Sequence, residues 1–261
     1  MFSSVAGGFK NDSMTSNAIQ HPLWNFDRDQ GTHYPSVIGV DEVGRGCFAG
    51  PVVAAAAWLG QDFYKNQQLF LQTRAFNDSK QLKPQQRGLF FAQIKDWISR
   101  GFLHVEYAVG SVEEIEQYNI LGATRLCMER ALRQLPVELL LSNGLGPLFE
   151  NNSVATDYPL VLVDGKPLKP FPWQHKAIVQ GDGKSLAIAI ASIYAKVVRD
   201  QMMEAFALTH PEYGFARHKG YGTAEHRAAI HKHGSCALHR PSFLRKLGSV
   251  ISPVCSKYSG R

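Results

Sequence analysis

The stretch VIGVDEVGRGCFAG, residues 37–50, constrains this chain more than any other. Its apolar start, Val37, Ile38 and Val40, predicts a buried strand. That strand ends on two adjacent carboxylates, Asp41 and Glu42, followed at once by Gly44-Arg45-Gly46. Alternation sends neighbouring side chains of a strand to opposite faces, so both acids serve one site only if the strand ends or bends beside them. The glycines supply the bend and let backbone N–H groups approach a ligand closely. Carboxylates beside an arginine on such a loop suit a divalent metal that must be carried up to a phosphodiester. A dinucleotide-binding loop fits poorly, because the glycine spacing is one residue too long and the two acids would repel a pyrophosphate. The bland alternative is an acidic strand end followed by a tight turn.

Two more acids stand in similar settings. Asp164 closes the apolar run 160–163 and precedes Gly165, and taken alone it reads as a turn former. Asp182, in Gly181-Asp182-Gly183, could equally cap the helix that follows. Acids at three strand ends change the reading, since the strands of one sheet bring their ends together. Hard cations such as Mg²⁺ or Mn²⁺ take oxygen ligands, and two ions need about four carboxylates with waters completing the shells.

The rest of the chain fits one large α/β domain. Strands are expected near 36–42, 52–59, 103–110, 160–163 and 176–180. Helices are expected over 84–99, opened by Pro84, over 111–135, where Ser111 and Glu114 form a capping box, and over 185–208. Strands alternating with helices imply a sheet with helices on its faces. Residues 1–34 are polar and aperiodic and read as a flexible extension, with a transit peptide disfavoured by the late first arginine. The catalytic body is expected over 35–250, interrupted near 136–158 by a Gly-, Asn- and Ser-rich insertion, and 251–261 reads as a flexible tail. No apolar run is long enough to span a bilayer. Four scattered cysteines without a C-x-x-C pair suit reduced thiols in the cytosol. The chain carries 28 Lys and Arg against 22 Asp and Glu, and the basic excess grows once four acids are assigned to metals. A basic surface around an acidic centre suits an enzyme that works on a long polyanion.

These blocks, with others in the same order, resemble the ribonuclease HII family of bacteria. The others are Asn77-Asp78-Ser79-Lys80 with Leu82, Asn119-Ile120-Leu121 with Ala123-Thr124, and the run Ala191-Ser192-Ile193 through Ala195-Lys196-Val197 to Arg199-Asp200. Last come Tyr213-Gly214-Phe215 and His218-Lys219-Gly220-Tyr221. The resemblance spans residues 36–247. It implies the ribonuclease H-like fold, a five-stranded mixed sheet flanked by helices, with a small helical C-terminal portion. It implies a metal quartet of Asp41, Glu42, Asp164 and Asp182 that holds Mg²⁺ or Mn²⁺ in a two-metal mechanism. The activity implied is cleavage of the RNA strand of RNA–DNA hybrids and nicking 5′ of single ribonucleotides in duplex DNA, leaving 3′-hydroxyl and 5′-phosphate ends. A cytoplasmic monomer is expected.

By the same resemblance, Gly44, Arg45 and Gly46 match the loop that senses the 2′-hydroxyl, the group that separates RNA from DNA. Tyr221 matches the aromatic residue that stacks on the sugar of the next deoxynucleotide, although a lone loop tyrosine is more often a packing residue. Ser79 and Lys80 read as phosphate contacts. Lys196 and Asp200 read as support beside the site, not as ligands. Two departures stand out: Gln180 replaces the family's usual lysine, with Lys184 as the residue that could restore the charge, and Gly222 replaces a common proline. A P-loop reading of Gly183-Lys184-Ser185 fails because Ile178 stands where a glycine is required. His231, His233, Cys236 and His239 fit no common zinc spacing. The rivals are a DNA-only nuclease of related fold, which the 44–46 loop and Tyr221 argue against, and a hybrid-binding protein without catalysis, which the four acids argue against.

Overall fold

The computed structural model describes residues 21–76, 82–140 and 158–245. Five strands, β1 (Ser36–Val43), β2 (Val52–Gly60), β3 (His104–Gly110), β4 (Leu160–Asp164) and β5 (Lys176–Ile178), form one sheet in the order β3-β2-β1-β4-β5. Strand β1 is central. It pairs antiparallel with β2 and parallel with β4, and β5 continues parallel beyond β4. The sheet is therefore mixed, as expected. Strand β5 stops at Ile178, two residues short of the expected end, because Gln180 turns the chain into the left-handed region at φ 57°.

The helices are α1 (Pro22–Gln30), α2 (Gln61–Lys65), α3 (Gln67–Thr73), α4 (Pro84–Ser99) and α5 (Val112–Gln134). They continue with α6 (Val137–Leu140), α7 (Leu186–Thr209), α8 (Phe215–His218), α9 (Ala224–His233) and α10 (Pro241–Leu244). The expected capping box is present: the Glu114 N–H donates to Ser111 Oγ and the Ser111 N–H donates to Glu114 Oε2. Helix α5 is broken once, at Asn119 (φ 57°), whose side chain accepts from the Leu121 and Gly122 N–H groups and restarts the helix. Ser185 caps α7, accepting from the Ile188 N–H, so Asp182 does not serve as its cap.

Two apolar layers cover the sheet. On one face Val37, Val53, Ala55 and Leu59 pack against α7 and α4, and on the other Ile38, Val40, Ala54 and Ala56 pack against α5. The run of alanines in β2 keeps both layers close to the sheet. Gly39 lets α7 lie directly on β1, since a Cβ there would stand 2.1 Å from the Ala187 carbonyl carbon. A third cluster, with Met203, Tyr213, Phe215, Ile230 and Leu244, forms the small C-terminal portion and reaches back to Ala49.

The N-terminal segment departs from expectation. Residues 22–30, read from sequence as part of a flexible extension, form α1, whose Leu23, Trp24 and Asp27 are buried. Trp24 packs among Phe63, Tyr64 and Phe70 with ring centroids 5.3–5.4 Å apart. An amphipathic pattern is invisible there because only three residues of a short helix carry the burial. Residues 1–20, most of the 136–158 insertion and the 251–261 tail lie outside the described residues.

Candidate active site

Strand β1 carries Asp41 and Glu42 to its end, and register fixes their surroundings. Asp41 lies opposite Ala55 of β2, and Val40 pairs with Val163 of β4, which sets Asp164 beside the same strand end. The two neighbouring acids face opposite sides of the sheet, as alternation requires. They share a site because β1 finishes at Val43 and Gly44 turns the chain at φ 94°. A side chain at Gly44 would also strike Arg199 Nε, 2.2 Å from the Cβ position.

Asp41, Glu42 and Asp164 line one cleft of about 410 Å³, together with Gly44, Arg45, Gly46 and Tyr221. Ser192 and Lys196 enter it from α7 and Arg87 from α4. The cleft thus unites three of the four predicted acids, the glycine–arginine loop and the predicted aromatic residue. Asp182 is nearly fully buried in the turn Gly181–Gly183 and is not among the lining residues. Its neighbour Gly181 donates a 2.6 Å hydrogen bond to Asp164 Oδ1, which ties that turn to the acid on β4. Lys184 donates to the Val179 carbonyl at 2.7 Å and does not line the cleft. Ser79 and Lys80 lie outside the described residues.

The electrostatics set Asp41 apart. Burial, then the charges of Glu42 and Asp164, push its carboxyl well above the usual range, against hydrogen bonds from Ser192 and the Glu42 N–H. A buried acid facing two others calls for a proton or a cation. Among the described residues no three ligating side chains converge as a closed metal cage. Each acid instead turns to its own donor: Asp41 to the Glu42 N–H at 2.7 Å, Glu42 to Arg45 Nη1 at 2.9 Å, and Asp164 to Gly181. The all-oxygen donor set fits a hard divalent ion and suits zinc poorly.

Cations frame the cleft. Lys196 Nζ pairs with Asp200 at 2.7 Å and stands 5.9 Å from the centre of the Tyr221 ring. Arg87 was not singled out from sequence, and its place one turn into α4 was the only signal.

The Tyr221 loop rests on three histidines. His218 and His226 stack with centroids 4.3 Å apart. His226 Nδ1 lies 2.9 Å from the Tyr221 carbonyl and its Nε2 lies 3.1 Å from His239 Nε2. His239 Nδ1 accepts from the Cys236 N–H at 3.0 Å. Neutral rings satisfy every contact when His226 donates from Nδ1 and His239 from Nε2. Burial, the largest cause, pulls both down to about 4, which keeps them neutral. This network accounts for Cys236 and His239, while His231 and His233 are exposed on α9.

A mixed sheet that brings buried Asp41 beside Glu42 and Asp164 at adjoining strand ends, in a cleft edged by cations and an aromatic ring, suits a metal-dependent phosphodiester hydrolase. The model of the family "Ribonuclease HII" matches residues 38–246. A ribonuclease HII from Syntrophotalea carbinolica is 40% identical over 85% of this chain and 91% of its own. The solved ribonuclease H2 from Pyrococcus horikoshii shares the fold at TM-score 0.59 and 23% identity, covering 81% of this chain and 96% of that one. A ribonuclease HIII (Bst-RNase HIII), solved in complex with Mn²⁺, superposes at TM-score 0.54 with 18% identity, covering 82% of this chain and 63% of that one. The chain belongs to the ribonuclease HII family. It is an endoribonuclease that cleaves the RNA of RNA–DNA hybrids with the help of a divalent metal.

Proposed function

We propose that Asp41, Glu42, Asp164 and Asp182 hold two divalent ions, Mg²⁺ or Mn²⁺, and that the enzyme also nicks 5′ of a single ribonucleotide in duplex DNA. The observation that carries this reading is the shared cleft, in which buried Asp41 meets Glu42, Asp164, the 44–46 loop and Tyr221. When bound, such ions lower the pKa of a water and stabilise the departing 3′-oxygen.

The chain's own residues do the rest. Glycine backbone in the 44–46 loop approaches the ribose and reads its 2′-hydroxyl. Arg45, held by Glu42, fixes that loop relative to the acids. Tyr221, 40% exposed, offers its ring to the sugar on the 3′ side. Arg87 and Lys196 draw the phosphate backbone into the cleft, and Ser79 and Lys80 add contacts along the strand. Cleavage leaves a 3′-hydroxyl and a 5′-phosphate. Free thiols at Cys47, Cys127 and Cys236 support a cytoplasmic setting, and we read the enzyme as a monomer.

The test is one labelled DNA duplex carrying a lone ribonucleotide, incubated with EDTA, Mg²⁺ or Mn²⁺. A single cut on the 5′ side of the ribonucleotide, present only with metal, is expected. An enzyme that cuts only runs of several ribonucleotides and ignores the lone one removes this reading.

A further inference from the structure

Two arginines are fully buried, Arg199 and Arg240, and among the described residues neither pairs with a carboxylate. Burying a guanidinium without a counter-charge is expensive, and apolar packing would serve stability better. Both spend their donors on backbone carbonyls, five of the six bonds going to the segment that joins β1 to β2. Arg199 donates to the Ala49, Pro51 and Lys219 carbonyls. Arg240 donates twice to the Gly50 carbonyl, at 2.7 and 2.9 Å, and once to the Arg45 carbonyl, at 3.1 Å. The last contact differs in kind, because it grips the middle residue of the loop that faces the cleft.

Backbone bonds reinforce the grip. The Arg240 N–H donates to Phe48 O, and the Gly50 N–H donates to Leu238 O. On the other side the Phe48 N–H donates to Gly220 O, and Cys47 bridges to Tyr221. Residues 45–50 are therefore held between the Tyr221 loop and the chain entering α10. Helix α10 is itself anchored, since Ser242 donates from its N–H and hydroxyl to Glu116 of α5.

We infer that Arg240 is a positioning residue that sets the reach of the 44–46 loop toward the ribose and so governs preference for a ribonucleotide at the cut. The inference rests on reading that loop as the sensor of the 2′-hydroxyl. It gives the C-terminal portion a task beyond packing: it supplies the fork that aims the sensor. Lysine cannot replace this fork, because an ammonium lacks the fixed planar donors that span two carbonyls.

The experiment measures single-turnover cleavage by the full chain of a duplex with one ribonucleotide and of the same duplex with 2′-fluorine at that position. The ratio of the two rates is the hydroxyl advantage. In Arg240→Lys and Arg240→Gln the advantage should fall at least tenfold, with duplex affinity and unfolding temperature of the lysine variant near wild type. Equal slowing on both substrates, leaving the ratio intact, overturns the inference. So does unfolding of both variants at the assay temperature, which makes the arginine a folding element alone. A wild-type enzyme without any hydroxyl advantage refutes the reading of the loop itself, and the inference goes with it.

Discussion

The Ala187 N–H donates a 2.8 Å hydrogen bond to Asp27 Oδ2, across 160 residues of chain. Asp27 comes from α1 and Ala187 from the first turn of α7, where a negative or polar group complements the helix dipole. The Tyr64 hydroxyl donates to the same oxygen at 3.0 Å. Helix α7 in turn presents Ser192 to Asp41. The segment before β1 is thereby joined to the helix that shapes the acidic cleft.

A pH dependence follows. Burial pushes Asp27 up to about 7, against the hydrogen bonds that favour its charged form. The folded protein keeps this acid protonated well above the pH at which the unfolded chain loses the proton. Its contribution to stability is therefore full below about pH 4 and declines as pH rises toward 7, by up to about 4 kcal/mol for a shift of this size. Urea unfolding at pH 5 and pH 8 should show wild type losing stability relative to Asp27→Asn as pH rises. A constant gap between the two proteins would remove Asp27 from the account.

Deleting residues 1–30 should destabilise the fold. Trp24 is 2% exposed, and losing a buried tryptophan from a core costs roughly 3–5 kcal/mol. Thermal unfolding of the truncated chain should begin well below that of the full chain. An unchanged midpoint would mean that α1 contributes nothing to stability.

Asp41→Asn and Asp164→Asn should each abolish cleavage while binding to an RNA–DNA hybrid persists. On the proposed reading the acids hold the metals, whereas affinity for the duplex comes mainly from basic residues and should weaken as salt rises. Gel-shift and cleavage assays on one labelled hybrid separate the two effects. Activity near wild type in either variant would exclude that acid from the site.

Tyr221→Ala should slow cleavage at a lone ribonucleotide by about ten- to a hundredfold, the scale of one lost stacking contact of ~1–3 kcal/mol. Affinity for the duplex should fall much less. Because the His226 ring holds the Tyr221 carbonyl and not its side chain, the loop should keep its course in this variant. Equal losses in rate and affinity would assign the ring to binding alone.

Local chemistry made much of this legible. The Ser111–Glu114 box, Pro84 and the apolar runs of β1, β2 and β4 each carry their own signal, and acids at strand ends announced the cleft. Helix α1 carries only Pro22 at its start as a comparable signal. Leu23, Trp24 and Phe26 are too few to set a period, and the burial of Trp24 is decided by Phe63, Tyr64 and Phe70 about 40 residues along the chain. Arg199 and Arg240 were illegible for a related reason. An arginine in a polar context reads as surface, and carbonyls that converge from remote loops leave no mark on its flanking sequence. The place of Asp182 outside the cleft lining likewise depends on how one turn packs, which spacing does not encode.

The contact from Arg240 to Arg45 spans 195 residues, and its length bears on the timing of synthesis. Contacts this distant form late, since closing a long loop costs entropy before the contact repays it. A chain emerging from the ribosome holds Asp41 and Glu42 early, whereas Asp164 on β4 follows about 120 residues later and Arg240 comes 195 residues after Arg45. On the proposed reading, the nascent enzyme carries an unaimed 44–46 loop until Arg240 has been made. Nucleic acids around the ribosome meet a competent nuclease only once nearly the whole chain has folded.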